Sequence, residues 1–128
     1  MKKIFQIMMV ASIGLLATSC YKDELPATPV PANVTFKKDV QSIFNKNCIG
    51  CHKGGLTSPN LTESNSFTAL TTPTLQGELL VTPGSAEGSI LYQAMIGKGA
   101  PQMPPNGVLS ASKLAIVEKW INDGAPNN

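Results

Sequence analysis

The sequence contains no arginine, a single histidine, three cysteines and only 5% aromatic residues. Its formal net charge of +2 comes from Lys2 and Lys3, because the chain from Cys20 onward carries equal numbers of lysines and acidic residues. This balance and the absence of arginine give no indication of a nucleic-acid partner. No stretch shows the alternation of apolar and polar residues that is typical of a β-strand. We therefore expect a mostly helical chain.

The one histidine directly follows two of the three cysteines, in the segment CIGCH at residues 48–52. Two thiols three positions apart, followed by an imidazole, are typical of covalent attachment of a c-type haem. One helical turn spaces Cys48 and Cys51 so that each can form a thioether with one haem vinyl group. His52 is then expected to bind the iron as an axial ligand. The segment predicts one covalent haem c.

Three other kinds of site fit the same residues less well. A structural zinc ion usually takes four Cys or His ligands, and this chain offers only three once Cys20 is assigned elsewhere. A thioredoxin-like dithiol is expected beside a strand–helix–strand pattern, whereas the flanks here are helical before the segment and loop-like after it. A disulfide is sterically allowed in an exported protein, but it leaves His52 without a role.

The N-terminus has the organisation of an export signal. Two lysines precede an apolar run at residues 4–16, which is too short to span a bilayer comfortably. The run ends in LATSC, which resembles the lipobox of bacterial lipoproteins and predicts a signal peptide at residues 1–19 with lipidation of Cys20. The alternative is ordinary cleavage near Ser19, which would leave Cys20 as a free thiol.

A proline-rich stretch at residues 20–33 predicts an extended tether without packed structure, followed by one domain at residues 34–128. The expected location is the outer or cytoplasmic membrane, with the domain facing the periplasm. The segment YKDE, which begins with the residue after Cys20, resembles a tag that directs some lipoproteins to the cell surface, so surface exposure is the alternative.

Helical spacing of apolar residues recurs in the domain. One such helix covers residues 36–44, leads into the CIGCH segment and has Gln41 on its polar face. Others are expected at residues 65–70, from about residue 90 to Gly97 or Gly99, and from Ser110 to Gly124. Helix N-caps are predicted at Thr35, Ser85 and Ser110. The fold class is therefore mostly α, with three to five short helices and long loops around the haem.

The sixth ligand of the iron decides the function of such a haem. A single histidine excludes a bis-histidine centre within one chain, and only Met95 and Met103 remain outside the predicted signal peptide. Met95 lies on the apolar stripe of a helix, where core packing is expected. Met103 lies in a loop with prolines at positions 101, 104 and 105, which restrict the backbone and lower the entropic cost of holding the sulfur on iron. Met103 is the predicted axial ligand.

Residues 36–125 resemble a small bacterial class I cytochrome c domain. The resemblance rests on CIGCH, on PG and SILY at residues 83–84 and 89–92, on MPP at 103–105, and on WI and GA at 120–121 and 124–125. It implies crossing N- and C-terminal helices, Met103 as the distal ligand and a hydrophobic haem slot. The slot or the crossing would be lined by Phe36, Phe44, Leu91, Leu114, Trp120 and Ile121. Available donors for the haem propionates would be Tyr92, Trp120, lysines and backbone N–H groups.

These features predict a lipid-anchored electron carrier that exchanges electrons with other redox proteins. We expect no enzyme activity, no catalytic residue and no small-molecule substrate, because a six-coordinate haem has no open site. Two alternatives are a five-coordinate haem sensor or peroxidase-like domain, and the cytochrome subunit of a larger exported oxidoreductase. The chain offers no distal histidine or arginine to activate peroxide, which disfavours the first of these.

Overall fold

The computed structural model of the protein describes residues 29–128. The predicted signal peptide, Cys20 and most of the predicted tether therefore lie outside the described residues. The described part is helical, with no strand and one isolated bridge between Thr82 and Ser85. A π-helical segment at Phe36–Val40 precedes α1 (Gln41–Asn47), α2 (Ser66–Thr71), α3 (Ile90–Ile96) and α4 (Ala111–Asn122). These four short α-helices confirm the predicted fold class. In residues 29–128, no helix has the length and apolarity needed to cross a membrane.

The π-helical segment and α1 form the first helical unit. Thr35 stands at its start, but its hydroxyl does not cap the helix. Instead the Thr35 N–H and hydroxyl both donate to the Asp39 carboxylate, at 2.8 and 3.0 Å. The Thr35 hydroxyl therefore donates a hydrogen bond, whereas a capping hydroxyl would accept one from a helix N–H group. The Asp39 carboxylate is the stronger acceptor because it is charged, and a carboxylate is favoured at the positive end of a helix.

Acceptors for the first N–H groups of this unit come from the other end of the chain. The Phe36 N–H donates to Asn128 Oδ1 at 2.8 Å, and the Lys37 N–H donates to the Asn128 carbonyl at 3.0 Å. The first N–H groups of a helix have no partner within it. Asn128 satisfies two of them and joins the C-terminus to the start of the domain.

The N- and C-terminal helical segments, which the resemblance implied to cross, pack against each other. The rings of Phe36 and Trp120 lie 5.0 Å apart between centroids, and Phe67 packs edge-on against Phe36 at 5.2 Å. Trp120 is fully buried and its indole N–H donates to the Pro126 carbonyl at 2.9 Å. Aromatic rings bury large apolar areas and add a specific pair interaction. The contact between these two helical segments lies within the buried core.

The ends of α3 and α4 differ in part from expectation. α3 begins after Ser89, not after Ser85, because the buried Ser89 hydroxyl accepts from Thr82 N–H and donates to the Ser85 carbonyl, closing a compact turn. Ser110 occupies the N-cap position of α4, but its hydroxyl contacts that of Ser112. Gly97, one of the two glycines predicted to stop this helix, ends α3 with a left-handed backbone (φ +66°).

Candidate haem-binding site

The CIGCH segment continues the helical path of α1 by one turn. The Cys48 N–H donates to the Phe44 carbonyl at 2.8 Å, and the Cys48 carbonyl accepts from the N–H groups of Cys51 and His52 at 3.1 and 2.9 Å. The side chains of Cys48 and Cys51 are free thiols. One helical turn between them is the spacing that two thioether bonds to one porphyrin edge require.

Cys48, Cys51 and His52 line one cavity with a volume of about 390 Å³. That volume lies in the range of sites for cofactors and small molecules. Both candidate methionines, Met95 and Met103, line the same cavity. The rest of its lining is largely aliphatic and includes Leu61, Leu70, Leu80, Ile90, Leu91 and Leu109. An apolar slot with two thiols, one imidazole and thioether sulfurs suits a flat apolar macrocycle with iron at its centre.

The orientation of His52 is determined by a main-chain acceptor. Its Nδ1 lies 3.1 Å from the carbonyl oxygen of Pro59. A carbonyl can only accept, so Nδ1 carries the proton and Nε2 keeps its lone pair for a metal. Histidines that bind metals commonly use the second ring nitrogen in this way, which fixes the tautomer and the ring orientation.

A buried glutamine, Gln41, holds the loop that carries Pro59. The Leu61 N–H donates to the His52 carbonyl at 2.9 Å, and the Leu61 carbonyl accepts from Gln41 Nε2 at 2.9 Å. Gln41 Nε2 also donates to Asn45 Oδ1, and Gln41 Oε1 accepts from the Ser66 hydroxyl. Gln41 is only 3% exposed, so the helix face opposite the apolar stripe is covered at this residue. A loop covers that face, and every polar atom of the carboxamide has a partner.

The loop between α3 and α4 brings Met103 to the cavity. The Met103 N–H donates to the Ala94 carbonyl, near the C-terminal end of α3, at 2.8 Å. Met103 is 36% exposed, whereas Met95 is 3% exposed and belongs to the core. Met95 packs in the core as expected, but it also lines the cavity, which the helical periodicity alone did not indicate.

The model of the family described as cytochrome c oxidase, cbb3-type, subunit III matches residues 37–121. The chain belongs to this family. The match spans more than half of the 128 residues and includes the CIGCH segment, α3 and Met103. No curated protein and no solved structure matches the chain at a significant level.

As a cytochrome c domain, the protein binds covalent haem c, transfers electrons by means of it and exchanges them with redox partners. Domains of this family are typically exported to the periplasm or associated with a membrane. The predicted family, fold class and cofactor are confirmed.

Two of the suggested propionate donors, Tyr92 and Trp120, are engaged elsewhere. The Tyr92 hydroxyl donates to Glu118 Oε2 at 3.0 Å, and the Trp120 indole donates to Pro126. Neither these two residues nor any lysine of residues 29–128 lines the cavity. Its polar side chains, apart from the thiols and the imidazole, are Asn47, Thr57 and Asn106. Loop and helix-end residues of this kind carry no periodic signal, so the sequence pattern did not indicate them.

Of the six residues implied to line the slot or the helix crossing, only Leu91 lines the cavity. The other five lie in or against the core around the crossing: Phe36, Phe44, Leu114, Trp120 and Ile121. The cytochrome domain thus separates its aromatic core from an aliphatic haem slot.

The electrostatic setting of Cys48 keeps it a neutral thiol at neutral pH. Burial raises its pKa to about 11, and the nearby Lys113 ammonium opposes this only in part. Lys113 Nζ donates to Asn47 Oδ1 at 3.1 Å, next to the first thiol. The thiolate is the reactive form of a cysteine, so the raised pKa lowers the reactivity of this partly buried thiol.

Proposed function

We propose that the protein is a membrane-anchored electron carrier whose single haem is attached through Cys48 and Cys51 and ligated by His52 and Met103. The observation that carries the proposal is the shared cavity. It places an imidazole with a free Nε2, two thiols and an accessible thioether around one apolar space.

Each of these four residues has a separate role in the proposed haem site. Cys48 and Cys51 hold the group by two thioether bonds, and His52 supplies a nitrogen whose direction is set by Pro59. Met103 supplies a neutral, soft sulfur, which favours ferrous iron. The haem supplies a one-electron iron couple. The aliphatic residues that line the cavity would surround the bound haem with apolar groups.

Met103 is preferred over Met95 because of their different surroundings. Met95 is buried within the core cluster, where its side chain fills space between other residues. Moving it towards iron would leave a gap in the core, which costs stability. The exposed side chain of Met103 has less packing to lose and belongs to a loop restrained by neighbouring prolines.

The anchor belongs to the proposal as well. Residues 1–19 would be removed as a signal peptide, Cys20 would carry the lipid, and residues 20–33 would join it to the domain at residues 34–128. The protein would then be a lipoprotein of the outer or cytoplasmic membrane, facing the periplasm or the cell surface. Cys20→Ser should release the haem domain from the membrane fraction. Unchanged membrane association of this variant would refute lipid anchoring.

Carbon monoxide tests the carrier function against a sensor or a peroxidase-like enzyme. A haem with both axial positions occupied has no open site, so the ferrous protein should bind carbon monoxide slowly or not at all. Rapid, stoichiometric binding, or turnover of peroxide, would overturn the proposal that the protein is a carrier and not an enzyme. A ferrous haem protein with a known open site is the positive control.

A second candidate is favoured by the family description, which names an oxidase subunit. In that case the same domain would pass electrons within a larger exported oxidoreductase. Purification of the tagged full-length chain from detergent-solubilised membranes separates the two. A carrier elutes alone, whereas a subunit elutes in a stable complex with other chains and additional haem.

A further inference from the structure

The loop that carries Met103 is attached to the end of α3 by two neighbouring residues. The Met103 N–H donates to the Ala94 carbonyl at 2.8 Å. The carboxamide of Gln102 donates from Nε2 to the Met95 carbonyl at 2.9 Å and to the Met103 carbonyl at 3.2 Å. Ala94 and Met95 belong to the last turn of α3, where carbonyls have no partner within the helix. Gln102 therefore bridges the helix end and the residue proposed to bind iron.

The position of this carboxamide is also restricted from its other side. A Cβ atom built on Gly97 would collide with Gln102 Oε1. Gly97 has φ +66° as it ends α3, a conformation that glycine adopts without steric cost. Because Gly97 has no side chain, the Gln102 carboxamide can lie directly against its α-carbon.

The rest of the loop offers few alternative attachments. Pro101, Pro104 and Pro105 have no N–H group to donate. The Gly107 N–H bonds within the loop, to the Pro104 carbonyl at 3.4 Å. The hydrogen bonds of Gln102 and of the Met103 N–H are consequently the main polar links between the Met103 segment and α3.

We propose that Gln102 is a positioning residue that latches the Met103 loop to α3 and so slows displacement of the Met103 sulfur from the iron by outside ligands. The inference rests on the proposed ligation by Met103. Release of the sulfur requires the loop to move, and movement breaks the bonds that Gln102 makes. Without these hydrogen bonds, the form in which the Met103 sulfur has left the iron is more populated, and a competing ligand binds faster.

The test is the rate at which imidazole binds to the purified ferric holoprotein. Gln102→Leu removes the carboxamide, and Gln102→Glu keeps its shape but removes the donor. Gln93→Leu is the matched control, because Gln93 Nε2 donates to the Glu87 carbonyl at 2.8 Å, outside the Met103 loop. The sulfur–iron charge-transfer band and the free energy of unfolding are measured on the same samples.

Both Gln102 variants should retain the band and bind imidazole about tenfold faster than wild type, as the loss of one or two hydrogen bonds implies. Gln93→Leu should bind at the wild-type rate. A structural role alone would lower stability without this selective change in rate. Wild-type rates in both Gln102 variants, or equal acceleration in Gln93→Leu, would overturn the latch while leaving Met103 ligation intact. Absence of the band from wild type would overturn the ligation and the latch together.

Discussion

The Nδ1 atom of His52 lies 3.1 Å from the carbonyl oxygen of Pro59. This contact leaves Nε2 as the only nitrogen of the only histidine that can bind iron. Because Pro59 follows the CIGCH segment by a few residues, the motif and its orienting group belong to one stretch of chain. Local structure thus orients the imidazole of the residue proposed to bind the iron.

Loss of any of the three CIGCH side chains should lower the yield of holoprotein sharply. We expect this for Cys48→Ala, Cys51→Ala and His52→Ala, because the apolar cavity needs the porphyrin as part of the core. The measurement is haem absorbance per folded protein after export. Normal accumulation of a folded, haem-free Cys48/Cys51 double variant would contradict the prediction.

Removal of the buried Gln41 carboxamide should destabilise the haem-side loop. Gln41→Leu leaves the Leu61 carbonyl and the Ser66 hydroxyl without their partner. Unpaired buried polar groups are costly, so we expect a loss of about 3 kcal/mol in the free energy of unfolding. Ser66→Ala, which removes one bond from the same network, should cost about 1 kcal/mol. Denaturant titration of the holoprotein measures both. Equal stabilities of Gln41→Leu and wild type would show that the network does not hold the loop.

The Tyr92–Glu118 contact predicts a dependence of stability on alkaline pH. Burial, followed by the hydrogen bond and the charge of Glu118, raises the pKa of Tyr92 to about 12. A pKa raised above the unfolded value of ~10 means that the contribution is complete below that pH and is lost as pH rises towards the folded value. The difference in unfolding free energy between wild type and Tyr92→Phe should therefore be constant at neutral pH and change only above pH ~10. A change confined to neutral or acid pH would contradict this assignment.

Local patterns predicted the parts of the molecule that depend on neighbours in sequence. The apolar spacing around Phe36 and Trp120 indicated two helices, and CIGCH indicated the cofactor. The burial of Gln41 could not be predicted, because it depends on a loop twenty residues away that folds over a polar face. The engagement of Tyr92 by Glu118 is equally non-local. Such pairings depend on the packing of separate elements, and they do not change the spacing of apolar residues within either element.

The start of the first helical unit shows the same limit. Thr35 is a residue type that favours the N-cap position, and it does stand before the first helical residue. Its hydroxyl donates to Asp39, however, and Asn128 supplies the acceptors for the next two N–H groups. Residue type indicated where the helix begins. It did not indicate that the acceptors for the first N–H groups belong to Asn128, which is distant in sequence.

The most direct test of the proposed carrier is the sulfur–iron charge-transfer band of the ferric holoprotein in two methionine variants. Met103→Ala should abolish the band and open the haem to carbon monoxide after reduction. Met95→Leu, which conserves volume in the core, should retain the band and lose a modest amount of stability. Persistence of the band in Met103→Ala, together with its loss in Met95→Leu, would assign the iron ligand to α3 and contradict the account.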